Sequence, residues 1–140
     1  MAKGRTLEKH ILIADDSAPI RRALHSFLEK QDHWVVVGEA VNGREALEMA
    51  RDLKPDLVTL DLSMPLMNGI DAAKELKRTY PNMPVVLFTN FADTLLSEIS
   101  VRSGANAVVA KSEPMELVAQ LHLLLGSSPS QRSIHNNRSA

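Results

Sequence analysis

The chain has no cysteine, no long apolar run and no excess of charge of either sign. Without cysteine there is no disulfide framework and no thiolate metal site, an absence that suits a reducing cytoplasm. Sixteen basic residues face seventeen acidic ones, a formal net charge of −1, which gives no general reason to expect a polyanionic partner such as DNA. No candidate helix carries a dense basic face, so direct nucleic-acid binding is not expected. A bilayer crossing needs roughly 20 consecutive apolar residues, and no run reaches that. The segment Met1 to His10 is polar and lacks the apolar stretch of a signal peptide, so the expected setting is cytoplasmic, with no membrane attachment. No Gly-x-x-x-x-Gly-Lys-Ser/Thr occurs, which excludes a P-loop nucleotidase. No repeat of solenoid length occurs either. What is present is 140 residues, 44% hydrophobic and 24% charged, the size and composition of one globular domain.

Short apolar runs alternate with segments of helical period. Ile11 to Ala14 form a first strand ending in Asp15-Asp16. Pro19 suits the first turn of a helix that Asp16 or Ser17 would cap, and Ile20, Leu24, Phe27 and Leu28 recur along one stripe of it. Trp34 to Val37 read as a second strand. Asn42-Gly43 breaks the chain before a helix with Ala46, Leu47, Ala50 and Leu53 inward. Leu57 to Leu62 form a third strand, followed by a loop with Pro65 and Asn68-Gly69 and a helix burying Ile70, Ala73 and Leu76. Val85 to Phe88 lead to Thr89 as a fourth strand. A fourth helix lies around Leu95, Leu96 and Ile99 and stops near Gly104. Ala107 to Ala110 precede Lys111 as a fifth strand, and Pro114 opens a helix with Leu117, Val118, Leu121, Leu124 and Leu125. Such alternation predicts an α/β fold with a parallel sheet covered on both faces, because parallel strands require crossovers. The domain is expected over residues 8–126, with a polar, disordered tail over 127–140.

In a parallel α/β sheet, ligands bind beyond the carboxyl ends of the strands. Those ends carry Asp15-Asp16, Asp61, Thr89 and Lys111. Singly, Asp16 could cap a helix, Thr89 could serve a turn and Lys111 could be solvated. Asp61 is harder to dismiss, because a carboxylate interrupting an apolar strand carries a desolvation cost. Jointly they suit one site. Clustered carboxylates favour a hard divalent cation such as Mg²⁺. A nearby lysine and hydroxyl suit a phosphoryl group arriving at a carboxylate nucleophile.

Four motifs carry a family resemblance: Ile-Leu-Ile-Ala-Asp-Asp-Ser, Leu-Asp-Leu-Ser-Met-Pro-Leu-Met-Asn-Gly, Val-Val-Leu-Phe-Thr and Val-Ala-Lys. In order and over about His10 to Leu125, the chain resembles the receiver domains of two-component response regulators. The resemblance implies a flavodoxin-like (βα)5 sandwich with strand order 2-1-3-4-5 and Asp61 as phosphoacceptor. It implies Mg²⁺ held directly by Asp16, Asp61 and the backbone carbonyl of Ser63, with Asp15 acting mainly through water. Thr89 and Lys111 would contact the phosphoryl oxygens. The implied donor is a histidine kinase or phosphotransfer protein. The implied output is a downstream protein or a second copy of the chain, bound by the face of the fourth helix, fifth strand and fifth helix and working without an attached output domain. The chain would be no enzyme beyond its own phosphoryl acceptance and loss.

Three positions depart from the family pattern. Val108 stands where an aromatic residue commonly reports phosphorylation, Asn90 where a small residue is usual, and Ser112 where proline often follows the lysine. The lysine-serine pair resembles receivers that precede helix-turn-helix output domains, so a fragment of a DNA-binding regulator is an alternative. A docking receiver that is never phosphorylated is another. Phe91 and Ser63 flank the expected path of attacking water and, offering neither carboxylate nor amide, imply slow self-dephosphorylation. An aspartate-nucleophile phosphatase would need a second aspartate where Ser63 stands. His10, His25, His33, His122 and His135 show no ligand spacing. Met64, Met67 and Met83 read as packing, and Leu123 falls off the inward stripe of the last helix.

Overall fold

Side chains along the inner strands alternate between the two faces of a sheet, and both faces are buried. The computed structural model describes residues 7–90 and 96–126. Within them the strands are β1 (Lys9–Ala14), β2 (Trp34–Ala40), β3 (Leu57–Leu60), β4 (Val85–Thr89) and β5 (Ala107–Ala110), all parallel in the order β2-β1-β3-β4-β5. The helices are α1 (Ala18–Leu28), α2 (Gly43–Leu53), α3 (Gly69–Thr79), α4 (Leu96–Ser103) and α5 (Pro114–Leu125). The expected flavodoxin-like order is the observed one.

Period two sorts the core into two layers. Ile11, Ile13, Leu57, Val86, Phe88 and Val109 meet Leu24 and Leu28 of α1 and Leu117, Val118, Leu121 and Leu125 of α5. Leu12, Ala14, Val58, Leu60, Val85 and Leu87 meet Ala46 and Ala50 of α2, Ala72, Ala73 and Leu76 of α3, and Ile99 of α4. Small residues on α2 and α3 let those helices approach the sheet closely. Each of the first three helices is capped by a side chain at its start. Ser17 Oγ accepts from Ile20 N at 3.4 Å, Asn42 Oδ1 from Glu45 N at 2.8 Å and Asn68 Oδ1 from Asp71 N at 2.9 Å.

Several sequence expectations need correction. Of the two caps the sequence offers for α1, Asp16 and Ser17, the structure uses Ser17. β2 runs three residues past Val37, to Ala40, with a register shift opposite Ile11/Leu12. β3 ends at Leu60, so Asp61 and Leu62 lie past its last rung although both are buried. Leu53, at the last position of α2, is 41% exposed, although its Cδ1 lies over Gly38 of β2. Phe91, Leu95, His135, the segment 127–140 and the side chain of Leu96 lie outside the described residues. Among the described residues no helix is long and apolar enough to cross a membrane.

Candidate functional site

Because all five strands are parallel, the carboxyl ends of β1, β3, β4 and β5 fall on one edge of the sheet. The ladder continues one rung beyond the strands there. Asp15 N donates to Ala40 O at 3.0 Å, Asp61 N to Ala14 O at 2.9 Å and Lys111 N to Thr89 O at 2.7 Å. The backbones that carry the polar residues are therefore as fixed as the sheet.

Asp15, Asp61 and Thr89 are buried, Asp16 is exposed and Lys111 is nearly covered. The Lys111 ammonium lies 2.6 Å from Asp15 Oδ2 and 3.4 Å from Asp61 Oδ1. Asp61 Oδ1 also accepts from Leu62 N at 2.9 Å, and Asp15 Oδ1 from Ser17 N at 2.9 Å. One carboxylate oxygen from each of Asp15, Asp16 and Asp61 comes within 4.8 Å of the others. Burial, then the charge of Asp15, push the Asp61 carboxyl above its ordinary value, while Lys111 and the Leu62 N–H pull the other way. With all four groups ionised, three carboxylates against one ammonium leave two negative charges. An all-oxygen donor set carrying that charge fits a hard divalent cation.

The structure thus brings together Asp15, Asp16, Asp61 and Lys111, with Thr89 at the adjoining strand end. Ser63 is exposed and lines, with Asp16, Leu62, Met64, Pro65, Asn68 and Ile70, an open groove of about 550 Å³ beside the acidic cluster. Asn90 is exposed too. It lines a second groove of about 370 Å³ with Ile20, Ala23, Leu24, Phe27, Phe88, Lys111 and Pro114. Val108 is half-buried against the core layer that holds Ile99 and Ala105.

A model of the response regulator receiver domain matches residues 11–122. The chain belongs to the response-regulator receiver family. This receiver is 38% identical over 115 residues to the chemotaxis protein CheY of Thermotoga maritima, covering 81% of its own length and 95% of that protein. It is 42% identical over 109 residues to the transcriptional regulatory protein YhcZ of Bacillus subtilis, covering 77% of its own length but 51% of that longer protein. The crystal structure of the response regulator domain of Thermotoga maritima CheB superposes with a TM-score of 0.75 at 29% identity, over 87% of this chain and 99% of that one. As a receiver the chain is a phosphoryl-accepting signalling domain.

Sequence reasoning missed the backbone partners of the receiver site. Leu62 supplies an N–H to Asp61, and Gly69, the first residue of α3, leaves room for Asp61's own peptide: a Cβ there would sit 2.2 Å from Asp61 O. It also missed Arg21, whose guanidinium Nη1 donates to Asp15 O at 2.7 Å. A signal was available, since two arginines just after the first turn of a helix oppose its dipole and invite a local reason.

Proposed function

We propose that Asp61 is the phosphoacceptor of this receiver, with residues 8–126 as the domain. The observation that carries the reading is the buried Asp61 carboxylate, set between the Lys111 ammonium and the Leu62 N–H and beside Asp15 and Asp16. Both of those contacts fall on Oδ1, which leaves Oδ2 to attack phosphorus. The donor is a phosphohistidine on a histidine kinase or phosphotransfer protein. Its N–P bond breaks as the O–P bond forms, the electron pair returns to the imidazole, and Asp61 becomes an acyl phosphate. Lys111 then neutralises phosphoryl oxygens, and the Thr89 hydroxyl at the neighbouring strand end donates to another. Asp16, Asp61 and the Ser63 carbonyl would hold Mg²⁺, with Asp15 acting through water, and the ion supplies further neutralisation of phosphoryl charge when bound. No other reaction is assigned to the chain, and its setting is the cytoplasm.

Output runs through the face of α4, β5 and α5, where Val101, Met115 and Leu123 are exposed apolar side chains. A downstream protein or a second copy of the chain would read that face. A second reading, a receiver belonging to a helix-turn-helix regulator, is favoured by the 42% identity to YhcZ and by Ser112 after Lys111.

Intact mass after incubation with Mg²⁺ and acetyl phosphate tests the assignment. The expected result is one phosphoryl adduct that requires Mg²⁺ and is absent from Asp61→Asn. A folded protein that takes no adduct would overturn it in favour of the docking-receiver alternative, and an Asp61→Asn variant that still takes one would overturn it by placing the phosphoryl group on another residue.

A further inference from the structure

Arg21 and Glu39 touch none of the reacting groups named above, yet they reach them through the backbone. β2 ends at Ala40, so the ladder beside β1 offers its last rung to Asp15 N. The Asp15 carbonyl lies beyond that rung and accepts instead from Arg21 Nη1 at 2.7 Å. The same guanidinium donates through Nε to Glu39 Oε1 at 3.2 Å, and the other Glu39 oxygen lies 2.7 Å from His25 Nδ1. Arg21 is 15% exposed and Glu39 29%, so the fork is shielded on most sides. His25 first, and Arg21 after it, hold the Glu39 carboxyl below its ordinary value, so its charge is kept.

The geometry matters because of what a carbonyl is attached to. The Asp15 C=O and the Asp16 N–H share one planar peptide. Fixing the carbonyl fixes the plane from which the Asp16 side chain departs, and Asp16 is the exposed member of the acidic cluster, where burial does little to hold it. The electrostatics match. A lone guanidinium next to a cation site would repel the cation, but Glu39 cancels its charge and leaves the directional donor.

We propose that Arg21, held by Glu39, is a positioning residue that presets the Asp15-Asp16 turn for a divalent cation. The inference rests on the reading of the acidic cluster given above. Outer partners of this kind change metal affinity by about 10- to 100-fold when removed.

The test is calorimetric titration of the full chain with Mg²⁺ alone, for the parent, Arg21→Met and Glu39→Gln, beside adduct formation from acetyl phosphate at increasing Mg²⁺. Arg21→Met is expected to weaken Mg²⁺ binding about tenfold and to shift half-saturation of the adduct rate by the same factor, with the maximal rate retained at saturating Mg²⁺. Glu39→Gln is expected to shift in the same direction, through a loosened and uncompensated guanidinium. A purely structural role would lower the melting temperature and leave the Mg²⁺ affinity in place. A folded Arg21→Met that binds Mg²⁺ within about twofold of the parent overturns the proposal, given the range above. Should Arg21→Met not fold, the same criterion applies to Glu39→Gln. A parent chain that neither binds Mg²⁺ nor takes an adduct overturns the underlying reading instead, so the two failures are distinct.

Discussion

Asp61 sits past the end of β3 against its own solvation, beside a second buried carboxylate, and the compensation comes from Lys111 and the Leu62 N–H. Its ionisation is pushed upward on folding, so its contribution favours the fold at low pH and turns against it as pH rises through the folded-state value. At neutral pH the charge is a cost. Asp61→Asn is therefore expected to stabilise the Mg²⁺-free protein, visible as a higher urea midpoint, even as it removes the proposed phosphoacceptor. Lys111 is not orphaned by that change, because Asp15 stays at 2.6 Å. A lower midpoint for the variant would mean that the attraction of Lys111 outweighs the desolvation and the repulsion from Asp15. Asp61 was legible in the sequence because a carboxylate interrupts an apolar run. Arg21 left only the weak signal of two arginines early in a helix, because its partner is a carbonyl and every residue has one.

The start of α3 is the element most tightly bound to the chemistry. Gly69 N donates to Leu62 O at 2.8 Å, Asn68 caps the helix, and the Gly69 Cα presses on the peptide of Asp61. Gly69→Ala would place a methyl 2.2 Å from Asp61 O, so either the helix or the Asp61 peptide must move. The expected cost is about 1–3 kcal/mol, together with slower adduct formation from acetyl phosphate at saturating Mg²⁺. A variant of parental stability and rate would show that the contact relaxes without disturbing the site. Elements themselves were unevenly legible. β5 was readable to the residue, since Ala107 to Ala110 are bounded by Asn106 and Lys111. β2 read three residues short because Gly38 and Glu39 interrupt its apolar run. Glu39 is polar there to meet Arg21 and His25. β3 read two residues long because Leu62 stays buried after the ladder has ended.

Taken whole, the molecule keeps its chemistry at one edge of the sheet and a different polar cluster at the other. Trp34, the first residue of β2, pairs with Lys9 and lies against His122 of α5 with ring centroids 4.4 Å apart and planes tilted by 37°; His122 Nε2 lies 2.8 Å from Gln31 Oε1. From Lys9 to Asp15 the chain climbs roughly 20 Å at the usual strand rise, so the single tryptophan reports unfolding rather than events at the acidic edge. Burial pushes His122 below its ordinary value. Its stabilising contribution is thus complete above the unfolded-state value of about 6.5 and is lost as pH falls from there toward the folded-state value. Urea unfolding followed by Trp34 emission is expected to show a lower midpoint at about pH 5.5 than at about pH 7.5. The gap should narrow in His122→Phe, and an unchanged gap would assign the acid sensitivity elsewhere. Sequence reasoning saw no ligand spacing around His122, and its burial against Trp34 depends on two elements 88 residues apart in the chain meeting at one edge. A longer separation bears on how the protein comes off the ribosome. Lys111 and Asp15 are 96 residues apart, and that contact is made only once β5 has joined the sheet. A nascent chain stalled before β5 would hold its acidic corner without its cation, so the full cluster assembles only with about the last sixth of the described residues.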